Sequence, residues 1–438
     1  MKRANYIVCM MLVIIVLSGC SKEKIQYTDT YIPKQDMQYM HYGNFGINTV
    51  ETEKGYYKLV NQFLYFIDKE TMTTVPLCDK AECLHEQDTS GKKTECNAYA
   101  GYNNIGQLFY DGNFLYVLRD VYHKDDSDTY VTELWRISMD GTTKDKVCGL
   151  PKEEEVFSWM LHRGSVYYVT EKEGEDGKIH EVLKYFQLKD TDNIKTIKMF
   201  DDIYNGCVQD IQAYGNYVYL YLTGTNKDIE SDETDIEDDE AEDFLKTVVN
   251  RWVCYNIVTG EMKELFTDQI EDGKTTKFVQ HIDFWNDKLL AKYFYPDEKA
   301  QKPEEMGQIY QYNLDGSQKE KLLNTDDQYD KYRADENYLY IYNFWRKSVD
   351  AGKEKPKMTV YDKQGNQVDE MEMPMNAYAD MEGGSSGCFL WDDMQSEEKM
   401  AIIYIDKSKI GTYHGKKMEA IGCYEAKVNM EFDEKAEE

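Results

Sequence analysis

Positive charge is what this sequence has least of. It carries 51 Lys and Arg against 82 Asp and Glu, a formal net charge of −31 with a pI near 4.7. A surface of that sign repels a phosphate backbone, which sets nucleic acid aside as a partner. It also opposes passive adhesion to anionic lipid, and keeps a protein soluble. Long helical patterns are missing too. Proline stands at 7, whereas tyrosine reaches 37 against 16 Phe and 6 Trp. Tyr-rich sequence without helical periodicity argues against a helical bundle and for half-buried strands. Two catalytic signatures are absent: there is no His-x-x-x-His spacing and no Gly-rich phosphate loop. His41, His123, His162, His180, His281 and His414 are scattered. Carboxylates are so numerous that some pair will always imitate a glycosidase dyad, so pairing carries no signal.

What is present is a recurring cassette, clearest from Leu108 to Leu150. Asp111-Gly112-Asn113 turns into the apolar run Phe114 to Leu118, and Leu134 to Ile137 leads to a second turn at Asp140-Gly141. Aromatic and β-branched runs bounded by Asp-Gly turns read as antiparallel hairpins. Related units begin at Gly55-Tyr56-Tyr57, Arg163-Gly164-Ser165, Tyr214-Gly215-Asn216, Trp285-Asn286-Asp287 and Asp335-Glu336-Asn337. A worn unit holds Cys388 to Trp391 and Met400 to Ile405. A period of about 50 residues belongs to propellers and solenoids. Each unit has room for four short strands, and radial packing covers both faces of each sheet. The fold class is therefore all-β. Seven units fit a β-propeller of seven blades with four antiparallel strands each, and six or eight remain compatible. A pair of β-sandwiches explains the turns but not the period.

The N-terminus has a different character. Lys2 and Arg3 precede an apolar run from Ile7 to Leu17 that ends Leu17-Ser18-Gly19-Cys20. The run is too short for a comfortable span, as signal peptides are, and no other segment is long and apolar enough to cross a bilayer. Small residues directly before Cys20 resemble the bacterial lipobox. That resemblance implies a lipid on the Cys20 sulfur, cleavage before it, and retention at the extracytoplasmic face of the cell membrane. The expected divisions are a signal peptide at 1–19, a lipid-anchored tether at 20–44, the propeller at 45–425 and an acidic tail at 426–438. The lipobox, the Gly/Asn-then-Leu-Tyr hairpins and a cysteine stretch together resemble a group of Gram-positive bacterial lipoproteins that carry a β-propeller domain of unknown function. The resemblance covers roughly 45–425 and implies little about activity, because propellers host many functions.

That cysteine stretch is Cys78-Asp79-Lys80-Ala81-Glu82-Cys83-Leu84-His85, followed by Cys96. Cys78, Cys83, Cys96 and His85 can make a closed structural Cys₃His zinc site, since zinc takes thiolate and imidazole ligands tetrahedrally. A disulfide from Cys78 or Cys83 to Cys96 competes with it and suits an exported protein. Cys388 and Cys423 in the last unit are a further candidate pair.

Asp228 to Asp243 forms an acidic insertion with eleven carboxylates and no base. Asp235, Asp238, Asp239 and Glu240 are its candidate cation ligands, although the EF-hand glycine and spacing are missing. The competing reading is a solvated excursion. Shorter polar excursions at 124–128 and 174–177 fall at matching points of their units, so all three are expected on one side of the disc. Trp159, Trp285, Trp345 and Trp391 are candidates for stacking on sugar rings, weighed against plain packing between blades.

The expected function is that of a monomeric, membrane-anchored propeller that binds a small ligand, glycan or protein partner without catalysis. The alternative is a carbohydrate-active or peptide-processing enzyme with a site in the central channel, which requires ionisable groups converging there from several blades.

Overall fold

The computed structural model describes residues 25–33, 35–37, 48–60, 62–85, 95–101, 107–123, 129–152, 154–227, 247–271, 274–296, 307–344, 346–373, 381–383, 386–396 and 399–425. Strands dominate, and they fall into seven sheets taken in chain order. Sheet 1 holds Thr49–Glu51, Gly55–Val60, Phe63–Asp68 and Thr74–Pro76. Sheet 2 holds Phe109–Tyr110, Phe114–His123, Thr129–Ser138 and Lys144–Gly149. Sheet 3 runs Val156–His162, Ser165–Glu173, Ile179–Gln187 and Asp190–Met199, and sheet 4 runs Tyr204–Tyr214, Tyr217–Thr225, Val248–Asn256 and Met262–Thr267. Sheet 5 has five strands: Gln269–Glu271, Lys274–Trp285, Lys288–Phe294, Gln308–Tyr312 and Glu320–Asn324. Sheet 6 has Lys331–Ala334, Leu339–Tyr342, Lys357–Tyr361 and Gln367–Glu372, and borrows Lys416–Lys417 as a parallel fifth strand. Sheet 7 is Met381–Gly383, Gly387–Ser396, Lys399–Asp406 and Ala420–Glu425. This is an all-β propeller, as the period implies. Among the described residues no helix is long and apolar enough to cross a membrane.

The local chemistry explains the hairpins. A two-residue loop with positive φ at both positions matches the twist of flanking strands. Arg163-Gly164 (φ 47° and 70°) and Asn286-Asp287 (54° and 55°) close their hairpins this way. At Asp111 the carboxylate accepts the amides of Asn113 and Phe114, both at 2.9 Å. Middle strands are covered on both faces, so Ser165 to Thr170 is buried without a break. The outermost strand of sheet 3, Asp190–Met199, has no fully buried residue.

Side-chain bonds link each sheet to the next. Tyr57 Oη donates to Met139 O (2.8 Å) from sheet 1 to sheet 2, and Phe109 meets Trp159 edge-on at 4.6 Å between sheets 2 and 3. Glu181 accepts the Val208 amide (2.7 Å) between sheets 3 and 4, and Trp252 Nε1 donates to Val279 O (2.9 Å) between sheets 4 and 5. Asp283 accepts the Ala334 amide (2.8 Å) at the next joint, and Asp369 accepts the amides of Gly411, Tyr413 and His414 at the one after. The ring shuts where Tyr56 Oη meets Ser386 Oγ (2.8 Å) and Tyr404 Oη (3.0 Å), beside a Glu51–Ser386 bond.

One expectation needs correction. Residues 20–44 read as a tether, but 25–33 and 35–37 form a docked strap, which a local reading of polar residues misses. Asp36 and Arg163 are an ion pair, each side chain 1% exposed. Arg163 Nη1 also donates to Asn216 Oδ1 (2.7 Å), and Nη2 to the carbonyl of Thr28 (3.0 Å). Asn216 Nδ2 donates to Asp29 Oδ1 (2.8 Å), and the Tyr31 amide to Asp287 Oδ1 (3.3 Å). The strap thus crosses the turns at Arg163-Gly164, Gly215-Asn216 and Asn286-Asp287 of sheets 3, 4 and 5. The strands that carry Cys388 and Cys423 flank Lys399–Asp406 on opposite sides, and the side chains of these two cysteines lie outside the described residues.

Candidate functional site

Sheet 1 carries the cysteine loop on its outer edge. The strand Phe63–Asp68 pairs with Thr74–Pro76, and the Leu77 amide still donates to Leu64 O (2.9 Å). The chain then leaves the sheet at Cys78 and returns at Cys96. After the return the Leu64 amide donates to Ala98 O (2.8 Å) and the Ala100 amide to Gln62 O (2.7 Å). The excursion therefore opens and closes against one strand, which brings its two ends together. Cys83 and His85 fold back over this gap. The ligand atoms of Cys78, Cys83, His85 and Cys96 all lie within 4.8 Å of one another. His85 Nδ1 is 3.4 Å from Cys96 Sγ. All three thiols are unbridged.

The loop's side chains sort by chemistry. Leu84 is 77% exposed, while its neighbours Cys83 and His85 turn inward. His85 takes φ 53°, a left-handed backbone uncommon for a residue with a Cβ. Burial pushes the Cys96 thiol up to about 12, with Cys83 and Cys78 adding to it. Burial acts the same way on Cys78, but the amides of Lys80 and Asn97 and the neighbouring thiols outweigh it and hold Cys78 below its ordinary value. Asn97 Nδ2 ties the loop to sheet 2 through Gly141 O (2.7 Å).

Beside this loop a cleft of about 920 Å³ opens between sheets 1, 2 and 6 and the strap. Its aromatic wall is Tyr31, Tyr57, Phe66 and Tyr110, and its exposed carboxylates are Glu53, Asp140 and Glu336. Cys78 lies on its rim. Bonds from Ser138 and Thr142 hold the Asp140 carboxyl down at about 2, so it stays ionised. Two other acids in the cleft are already engaged: Glu51 with Lys69 (2.6 Å), and Asp335 with Lys407 and Tyr340.

The cleft lies on the side of the first-hairpin turns. The excursion at 174–177 and those that begin after His123 and Lys227 instead fall between second and third strands. The segments 124–128 and 228–246 themselves lie outside the described residues, and the turn at 174–177 is on the side away from the cleft. A smaller cavity of about 350 Å³ there is lined by Glu171, His180, Glu181 and Tyr204. His180 Nε2 is 3.0 Å from Asp176 Oδ2.

The remaining sequence candidates divide plainly. Cys20, the 1–19 segment, the 426–438 tail and the acidic residues Asp235, Asp238, Asp239 and Glu240 lie outside the described residues. So do Trp345 and the side chain of Trp391. Trp159 and Trp285 are 0% and 2% exposed and serve as packing between sheets. Of the polar groups on the strands Val156–His162, Tyr204–Tyr214 and Lys274–Trp285, His162 Nε2 bonds to Gly215 O (2.9 Å) and His281 sits against Arg333, while the buried His162 Nδ1 and Gln212 Oε1 have no hydrogen-bond partner among the described residues. Among the described residues these groups assemble no nucleophile with a base and its orienting partner. The cleft escaped the sequence because its walls come from turns of three sheets and a strap, each unremarkable alone.

No family model matches the sequence, and no curated protein matches it. Similarity appears in solved structures. A prolyl endopeptidase structure aligns over 88% of this chain and 50% of its own, at 12% identity and a TM-score of 0.51. A puromycin-hydrolysing peptidase of Mycobacterium tuberculosis aligns over 91% and 56%, at 11% identity and a TM-score of 0.46. The β-propeller domain of the trilobed protease of Pyrococcus furiosus aligns over 67% and 78%, at 10% identity and a TM-score of 0.41. The chain spans about half the length of the prolyl endopeptidase it resembles. At these identities the likeness concerns the fold, which is that of a β-propeller.

Proposed function

We propose that this chain is a ligand-binding propeller whose recognition site is the acidic, aromatic cleft between sheets 1, 2 and 6. The ligand class is a cationic peptide or a small organic cation. The observation that carries the reading is the pairing of Tyr31, Tyr57, Phe66 and Tyr110 with the exposed Glu53, Asp140 and Glu336 in one concave site. Aromatic faces attract cations, and carboxylates beside them add charge and orientation. The net charge of −31 steers such ligands toward the protein. Binding without chemistry is the role, and the lipidated Cys20 would hold it at the outer face of the membrane.

The test is a titration of Arg- and Lys-containing peptides against the wild type and the double variant E53K/E336K. Binding that weakens at least ~10-fold in the variant, and that weakens as salt rises, supports the reading. Equal affinity for acidic and basic peptides in both proteins overturns it.

A second reading, peptide processing, draws support from the fold likeness to a prolyl endopeptidase. Incubating the protein with fluorogenic peptides separates the two. Turnover that survives in E53K/E336K and tracks the protein through purification favours processing; an absence of turnover beside measurable binding favours recognition alone.

A further inference from the structure

We propose that Cys78, Cys83, His85 and Cys96 bind one zinc ion as a closed tetrahedral Cys₃His site. Zinc–sulfur bonds of about 2.3 Å and zinc–nitrogen bonds of about 2.0 Å at tetrahedral angles place sulfur and nitrogen about 3.5 Å apart, and two sulfurs about 3.8 Å apart. The observed His85–Cys96 separation of 3.4 Å already meets this geometry, and the other ligand atoms, all within 4.8 Å of one another, need to close by about 1 Å at most. A disulfide would use two of these sulfurs and leave the third thiol and the imidazole turned inward with no task. Zinc uses all four.

Three further features agree. The amides of Lys80 and Ala98 bond to the sulfurs two residues before them, Cys78 and Cys96, as amides do around metal-bound thiolates. His85 holds a left-handed backbone that directs its ring into the cluster. Among the described residues of the loop, Leu84 lies in solvent and the packing against the neighbouring core comes from Cys78 and Cys83 themselves, so a metal on these residues adds ties where apolar contacts are few. With four protein ligands no coordination position stays open, and the ion is structural. Binding converts three thiols to thiolates and releases their protons, while the imidazole binds neutral; no electrons move. The site braces the loop against sheet 2 through Asn97 and holds Cys78 on the rim of the cleft, and it stands whether or not the cleft is the recognition site.

The experiment uses the full chain purified under reducing conditions. Metal analysis is expected to find one zinc per chain, with three fewer thiols open to a maleimide than after chelator is added. Cobalt in place of zinc is expected to give the sulfur-to-metal charge-transfer band and intense visible bands of a tetrahedral thiolate site. Cys83→Ser and His85→Gln should lose most of the bound metal, and Cys207→Ser, an exposed cysteine outside the cluster, should keep it. If Cys83→Ser fails to fold, the wild-type thiol count and cobalt spectrum still decide. No metal after reconstitution, with either open thiols or a Cys78–Cys96 or Cys83–Cys96 bridge found by mass spectrometry of the unreduced digest, overturns the proposal.

Discussion

Glu181 illustrates how a single side chain stores pH dependence in this fold. It is buried at the joint of sheets 3 and 4, and its cross-strand neighbour is another acid, Glu171. Burial raises its pKa most, the Val208 amide opposes, and the Glu171 charge adds to the rise, leaving the group at about 7 against an ordinary 4.5. The folded state therefore favours the protonated form. Its stabilising contribution is complete below pH ~4.5 and is lost as pH rises through about 7. The shift corresponds to at most about 3 kcal/mol. Glu181→Gln stays neutral at every pH and can still accept the Val208 amide. Urea unfolding at pH 5 and pH 8 should show a smaller stability difference in the variant than in the wild type, with the variant the more stable at pH 8. Parallel pH profiles would refute this account of the residue.

Elements meet through turns, and the Asp140-Gly141 turn is where sheet 2 touches the cysteine loop. Gly141 has φ 69°, and a Cβ there would lie 2.8 Å from the carbonyl carbon and oxygen of Leu77. Gly141→Ala should therefore cost about 1–3 kcal/mol, combining left-handed strain with a forced backbone shift. Gly177, with φ 75° and open space around it, provides the strain alone. Thermal melts should place G141A clearly below G177A; equal melting temperatures would deny the contact its weight. This turn was legible in the sequence, because Asp-Gly between alternating apolar runs has a local cause. So were the middle strands, whose Tyr, Val and Leu are buried by adjacent sheets. The outer strand Asp190–Met199 was not legible, since an exposed edge strand need not alternate. The parallel addition of Lys416–Lys417 to sheet 6 leaves no pattern in two exposed residues. The Cys–His grouping could be suspected from spacing, but its convergence depends on both ends of the loop pairing with Phe63–Asp68, a fact of the sheet.

At the scale of the molecule, the ring is closed by side chains. Among the described residues, sheet 1 comes wholly from the first part of the propeller and sheet 7 wholly from the last, with no strand exchanged between them. Glu51, Lys69, Tyr56, Ser386 and Tyr404 do the closing. The strap adds a second tie across sheets 3, 4 and 5, and its centre is the Asp36–Arg163 pair, 127 residues apart in sequence. That docking restricts where a lipid at Cys20 can sit. About five residues separate Cys20 from Ile25, a reach of at most ~18 Å, and Ile25 Cδ1 lies 3.2 Å from where a Cβ on Gly164 would stand. A lipidated Cys20 would therefore hold the first-turn face, and with it the cleft, toward the membrane. Asp36→Ala leaves Arg163 buried without its carboxylate, a loss of about 3–5 kcal/mol in strap docking. Hydrogen exchange should then speed up at the amides of Asp36 and Arg163, which donate to Ile32 O and Gln35 O at 3.0 and 2.8 Å, while amides within the middle strands stay protected. Fast exchange at these two amides in the wild type would mean that the strap does not hold.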